Sequence, residues 1–338
     1  MTTLFGRFQP QLLRPAAAAM LTVGLMASTM VVGTPVSAAT RSCADAVTSA
    51  PTGPATVSAA STSFGKVLVI GSGDYAGCSL YILTSDELHS LTNAPYACSN
   101  GDNALHAPCD TVLWPALLTQ GVPKAGPGVN PTLLGTVTRD DVLGQPVQQV
   151  TYAGLPLYRF IFDEEPGETE GANLFDPITS PTGTWYLVNP SRGRVAPGRA
   201  RLQLETAPLN GTGPDETVLS VSMNPDFSVA PDVSFPVYTL STDSHRGRNK
   251  SACTGICAAV PWPPVLTSGR PEAGPGVDQH ALGIIVRPDG THQVTYNGHP
   301  LYMFFRDAYI PGITGTQGIF GAGVSSPWGV FNTIPPQP

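Results

Sequence analysis

The chain has 338 residues, with 17 basic and 24 acidic side chains and only 12% charged residues. Without Arg7 and Arg14 of the amino-terminal leader, 15 basic residues (17 − 2) face the same 24 acids. That net charge of −9 argues against nucleic acid or an anionic membrane surface as main partner. With 36 Gly, 35 Pro and 41% hydrophobic residues, the composition excludes disorder and long helices and predicts short strands and many turns, in two domains of ordinary size.

Residues 1–38 read as a signal peptide. Arg7 and Arg14 make a positive start, Ala16 to Val32 is an apolar run, and Val36-Ser37-Ala38 is a small-residue cleavage site, with Ala39 an alternative last residue of the leader. A membrane-spanning helix is the competing reading, disfavoured by Gly24, Thr29, Gly33 and Pro35. There is no twin arginine and no lipobox, because Cys43 follows Thr-Arg-Ser rather than small apolar residues. The expectation is a secreted, non-lipidated protein with no membrane span in the mature chain.

Residues 39–65, rich in Ala, Thr and Ser, are expected to be a flexible lead. Lys66 to Gly71 is β-rich. Gly71-Ser-Gly73 follows it, but the next glycine is Gly77 and a second strand comes directly after, so the pattern is not a dinucleotide-binding loop. From here the chain repeats itself. The motif Tyr-x-(Phe/Leu)-x-x-Asp occurs at Tyr81–Asp86, Tyr158–Asp163, Tyr238–Asp243 and Tyr302–Asp307, with Phe160 and Phe304 as the central aromatics of the even copies. Each copy is followed by one of the four tryptophans, Trp114, Trp185, Trp262 and Trp328, expected to form a repeat core.

The longest repeated stretch is Gln149 to Asp163, which returns as Gln293 to Asp307. Ala153-Gly154 and Asn297-Gly298 mark hairpin turns, the second by the strongest short signal for a type I′ turn. Leu301 to Phe305 is predicted to be the return strand. Alternation puts Tyr and Phe of the motif on one face. The Asp falls just past the strand, where an Asx-type turn would use it; a carboxylate presented to a ligand or metal is the competing reading. Leu133 to Arg139 matches Ala281 to Arg287, and Ala125 to Asn130 matches Ala273 to Asp278. The Gly-Pro-Gly turns 126–128 and 274–276 are candidates for close approach of a partner. The fold expected is mostly β: two tandem homologous β-rich domains, 66–190 and 215–333, each of two Tyr-x-Phe-x-x-Asp…Trp units. Residues 191–214 are expected as a linker, in which Arg199–Glu205 has the makings of a short strand.

These motifs, with Cys253-Thr-Gly-Ile-Cys257 and Trp262-Pro-Pro264, resemble a bacterial secreted-repeat family, the predicted lipoproteins with a Tyr-x-(Phe/Trp/Tyr)-x-x-Asp motif. The second half is close to that pattern. The first departs from it, with ten residues between Cys98 and Cys109 and no second proline after Trp114. The resemblance implies an exported repeat architecture of the cell envelope or exterior and no assigned activity.

Six cysteines in an exported chain favour disulfides. The repeat narrows the fifteen connectivities: Cys98–Cys109 and Cys253–Cys257 occupy equivalent places, which leaves Cys43–Cys78. A redox or metal pair at Cys253 and Cys257 is the alternative, with His245 near in sequence. The acidic run Asp163 to Asp176 matches no known calcium loop and reads as solvated. The histidines, 89, 106, 245, 280, 292 and 299, show no metal-ligand spacing, and no catalytic motif is present. No catalytic residue, metal or cofactor is therefore assigned. The leading functional expectation is a non-enzymatic exported module that binds an envelope component or another protein. The alternative is an extracytoplasmic metal- or redox-linked protein using the Cys pairs with Asp and His residues.

Overall fold

The computed structural model describes residues 41–99, 107–176, 183–191, 193–222, 234–243, 251–307 and 318–335. Residues 1–38, expected as a signal peptide, lie outside them, as do His106 and His245.

In the first half, Thr56–Thr62 (β1) and Gly65–Ile70 (β2) form a hairpin and Tyr81–Leu83 (β3) carries the first motif. The helix Glu87–Thr92 (α1) follows. Then come Leu118–Thr119 (β4), Lys124–Ala125 (β5), Leu134–Arg139 (β6), Val147–Tyr152 (β7), Leu155–Pro156 (β8), Leu174–Asp176 (β9), Gly183–Asn189 (β10) and Arg194–Ala196 (β11). The second half runs Arg201–Pro208 (β12), Asp215–Ser222 (β13), Ser234–Pro236 (β14), Tyr238–Leu240 (β15), the short helix Ile256–Ala259 (α2), Glu272–Ala273 (β16), Leu282–Val286 (β17), His292–Tyr296 (β18), His299–Pro300 (β19), Val324–Ser326 (β20) and Gly329–Thr333 (β21).

The fold is mostly β, and the pairing repeats. β1 pairs antiparallel with β2 and parallel with β5; β12 does the same with β13 and β16. β3 lies on β10 as β15 lies on β21. The β6–β7–β8 sheet returns as β17–β18–β19. Both hairpin turns form at the expected places. Ala153 and Gly154 have φ of 50° and 87°, and Asn297 and Gly298 have 48° and 83°, the double positive φ that a type I′ turn needs.

Three expectations are corrected. The segment expected as a flexible lead holds β1, whose small and β-branched residues pair with β2 from Val57↔Ile70 to Thr62↔Gly65. The segment expected as a linker holds β11 and β12. Strand β12 is eight residues long and pairs across seven positions with β13. In both cases, a composition suited to loops hides a strand because an edge is waiting for it. The return strand expected over Leu301 to Phe305 is instead the two-residue strand His299–Pro300, and Tyr302 then bridges Tyr238 and Pro264.

The first glycine of each Gly-Pro-Gly turn bonds inward, while the proline and second glycine are exposed. Gly126 N–H donates to Val57 O at 2.7 Å and Gly274 N–H to Leu202 O at 2.6 Å. A Cβ on Gly126 would stand 2.1 Å from Ser58 Oγ. The backbone that comes close to the first glycine of each turn is the first strand of its own half, β1 or β12.

From Ala39 onward the chain is one compact unit. One core cluster draws on both halves, from Val67, Trp114 and Trp185 to Val221, Val294 and Leu301. Phe175 meets Phe235 edge-on, with centroids 5.3 Å apart.

Residues 41–55 are held by more than the Cys43–Cys78 disulfide. Arg159, 3% exposed, donates from Nη1 to Cys43 O and from Nη2 to Asp45 O, and lies over the Tyr75 ring at 4.0 Å. The equivalent residue in the second half is Met303. Arg159→Met should therefore loosen residues 41–55 and leave the rest intact. Limited proteolysis with subtilisin should show faster cleavage in that segment and an unchanged core fragment; an unchanged cleavage rate would show that the disulfide alone fastens it.

Candidate functional site

The four motifs meet in two pairs. Within each half the two motif tyrosines exchange backbone hydrogen bonds. Tyr81 N–H donates to Tyr158 O at 2.8 Å and Tyr158 N–H to Tyr81 O at 3.0 Å; for Tyr238 and Tyr302 the distances are 2.8 and 2.9 Å. This local pairing sets each tyrosine ring pointing into the other motif's territory.

Each hydroxyl then donates to the aspartate of the other copy. Tyr81 Oη reaches Asp163 Oδ2 at 2.7 Å and Tyr158 Oη reaches Asp86 Oδ2 at 2.8 Å. Tyr238 Oη reaches Asp307 Oδ2 and Tyr302 Oη reaches Asp243 Oδ2, both at 2.6 Å. The second oxygen of each aspartate accepts a backbone N–H further along its own chain: Ala97 for Asp86, Glu170 for Asp163, Ala252 for Asp243 and Phe320 for Asp307. The aspartates are 1 to 5% exposed. They neither cap their own turns nor face a ligand. They close the loop that follows and accept a distant hydroxyl, a correction to both readings of the sequence.

The rings around these pairs form two matching stacks. Trp114 lies between Trp185 (centroids 3.7 Å) and Phe160 (4.1 Å), with Tyr81 edge-on at 5.4 Å. Trp262 lies between Phe331 (3.5 Å) and Phe304 (4.3 Å), with Tyr238 edge-on at 5.5 Å. Trp328, expected in the repeat core, is instead half-buried at the β20–β21 turn. The register explains why: β15 pairs Leu240 with Phe331 as β3 pairs Leu83 with Trp185, so Phe331 holds the place of Trp185.

One pair in each half also stands beside a buried arginine. Arg139 donates to Tyr158 Oη, Gln149 Oε1, Cys98 O and the carboxylates of Asp110 and Asp141. Arg287 donates to Gln293 Oε1, Cys253 O and Ser251 Oγ, and Ser251 Oγ stands 2.8 Å from Tyr302 Oη. The sequence carried a signal for these residues, since Arg139 matches Arg287 and Gln149 matches Gln293, but nothing in strand periodicity marks a buried cation.

Burial raises the carboxyl of Asp163 and of Asp307 to about 7, against the pull of the tyrosine hydroxyl and the backbone donor. Asp86 is raised by burial to about 6, with Arg139 among the groups that hold it lower. Asp243 is raised for the same first reason and opposed in part by Arg287. The tyrosine hydroxyls are pushed up by burial and by the facing carboxylates.

All three disulfides pair as the repeat suggested: Cys43–Cys78, Cys98–Cys109 and Cys253–Cys257, with Cα separations of 5.5, 5.2 and 5.2 Å. No cysteine is free, so no thiolate stands ready as a metal ligand. Among the described residues no group of three or more His, Cys, Asp or Glu could hold a metal ion. In the acidic run, Glu168 Oε2 accepts the N–H groups of Glu164 and Glu165, which ties it to its own turn. His89 stacks on Tyr96 at 4.1 Å, and His292 is exposed. No helix among the described residues is long and apolar enough to cross a membrane.

Residues 135–177 and 283–319 match the model of a family described as a secreted repeat of unknown function, which agrees with the resemblance seen in the sequence. Both matches cover an even motif, Tyr158–Asp163 or Tyr302–Asp307, together with its hairpin; the odd motif that completes each pair lies outside them. No curated protein and no solved structure matches the chain.

Two predictions follow from the exchanged pairs. Tyr238→Phe leaves the Asp307 carboxylate without its hydroxyl donor and should cost about 1–3 kcal/mol. Asp307→Asn should cost less, since the amide keeps an acceptor oxygen. Urea unfolding followed by tryptophan fluorescence measures both, and a Tyr238→Phe midpoint equal to wild type would remove the pair from the fold's support.

The second concerns pH. The folded-state values of Asp86, Asp163 and Asp307 lie above the ordinary carboxylate value of 3.8, so proton uptake favours the folded chain. That stability is fully present below about pH 4 and is lost as pH rises through 6 to 7. The urea midpoint should be higher at pH 5 than at pH 8; the opposite order would mean that the carboxylates are held ionised.

Proposed function

We propose that the protein is an exported, non-enzymatic repeat module of the cell envelope or exterior, which binds an envelope component or another protein. The observation that carries this reading is the exchange of the motif groups. All four repeated Tyr hydroxyls and Asp carboxylates are buried and committed to one another, so the repeated chemistry serves the scaffold and leaves recognition to surfaces that differ between copies. The three disulfides and the match to a secreted repeat support an extracytoplasmic location. Residues 1–38 serve as a removable leader in this reading, and Cys43, buried in its disulfide, is not a lipidation site.

The test is expression of the full chain in a bacterial host, amino-terminal sequencing of the exported product and sedimentation with purified envelopes. The mature protein should begin at Ala39 or Thr40 and co-sediment saturably. Retention of the leader, or no binding to any envelope fraction, would overturn the corresponding part of the proposal.

A further inference from the structure

A cleft of about 400 Å³ lies between residues of the two halves. Its size falls within the roughly 300–1,000 Å³ of small-molecule sites. Neither half makes it alone. One wall is the outer face of the β3–β10 pair, where Ile82 is registered against Tyr186, together with Leu155. Because side chains alternate along a strand, this is the face opposite Tyr81 and Trp185, so the aromatic stack fixes the wall from behind. The other wall is Pro263, Pro264 and Leu266, directly after Trp262 of the second stack. These walls are apolar and stiff, with two prolines and a ring whose neighbours are fixed.

The polar lining is unbalanced. Arg287 borders the cleft but is 6% exposed, and its Nη atoms donate inward to Ser251, Gln293 and Cys253. Glu87 and Asp289 also border it, one from each half. Asp289 Oδ1 accepts the N–H and hydroxyl of Thr291. Glu87 is exposed, with no hydrogen bond or ion pair of its side chain among the described residues. Partial desolvation at the cleft edge, and then Asp289, raise the Glu87 carboxyl, while Arg287 holds it lower. Two exposed carboxylates stand against one guanidinium that is already committed to neutral acceptors, so the lining is net acidic. A cation would answer them while its hydrocarbon part covers the walls.

We propose that this cleft binds a small organic cation with an apolar body, its ammonium between Glu87 and Asp289 and its hydrocarbon part between the β3–β10 face and the Pro263–Leu266 wall. This rests on the reading of the chain as an exported binding module and names the ligand class of that module. The two can fail separately, because export and envelope association are read from the leader and from sedimentation, and the cleft is read from titration.

The experiment uses three matched probes, 3-phenylpropylamine, 3-phenylpropanol and 3-phenylpropionate, titrated by calorimetry into the oxidised mature protein. The amine should bind saturably, with the alcohol and the acid each at least about tenfold weaker, a gap of roughly 1.4 kcal/mol. Its affinity should fall with added salt. Glu87→Gln, at an exposed position, should weaken the amine about tenfold and leave the alcohol unchanged. Thr254→Trp, at an exposed lining residue, should abolish binding by filling the cleft. Equal binding of the three probes, no binding of the amine at millimolar concentration, or amine binding unaffected by both variants would each overturn the proposal.

Discussion

A carboxylate taken out of water is costly unless its oxygens find donors. Here each of the four motif aspartates receives one donor from its own following loop and the other from a tyrosine 59 to 82 residues away. No motif can meet that requirement by itself. Two copies must fold together, each giving a hydroxyl and taking one. This explains why motifs come in pairs within a half, and why the tyrosines also exchange backbone bonds: the strand pairing aims the rings and the rings satisfy the carboxylates. The tryptophan stacks fill the space beside the rings. Gly171 and Gly321 are needed there because a Cβ would stand 2.6 Å from Trp114 Cη2 or 2.7 Å from Tyr238 Cζ.

The two halves solve the same problem with different parts. Arg139 touches Tyr158 directly, whereas Arg287 reaches Tyr302 by way of Ser251. Asp110, fully buried beside Arg139, has Ala258 at the matching place after the second cysteine of the pair. Phe331 replaces Trp185 without loss of the stack. Arg159 fastens residues 41–55 where the second half has Met303. The paired exchange is thus the fixed element, and what surrounds it has room to vary. Duplication also creates a boundary that no single half possesses, and the cleft with Glu87 on one side and Asp289 on the other lies there.

Much of this was legible because it is local. Two neighbouring residues with positive φ write a hairpin into Asn297-Gly298, and the copy at Ala153-Gly154 follows by homology within the chain. The repeat placed the motifs and reduced the cysteine pairings to the ones observed. The mostly β architecture came from composition and the repeated motifs, and the expectation of export from the pattern of residues 1–38 and the family resemblance. Strand β1 was missed because its Thr, Ser and Ala residues, with Val57 alone, carry little apolar signal, and β12 was foreseen only as a short strand inside a linker; their pairing partners, β2 and β13, supply the reason to be extended. Trp328 was misplaced because spacing along the chain counts tryptophans, while the core counts rings at a given register.

The sequence by itself therefore determined the repeat, its turns, its disulfide framework and the importance of Tyr and Asp within each copy, since these depend on residue type and short spacing. Only the tertiary structure decided what the Tyr and Asp do. Their partners lie in another copy, beyond the reach of any local rule, and a carboxylate at a strand end looks the same whether it caps a turn, meets a ligand or enters a core. Long-range pairing buried it, and burial decided between the three.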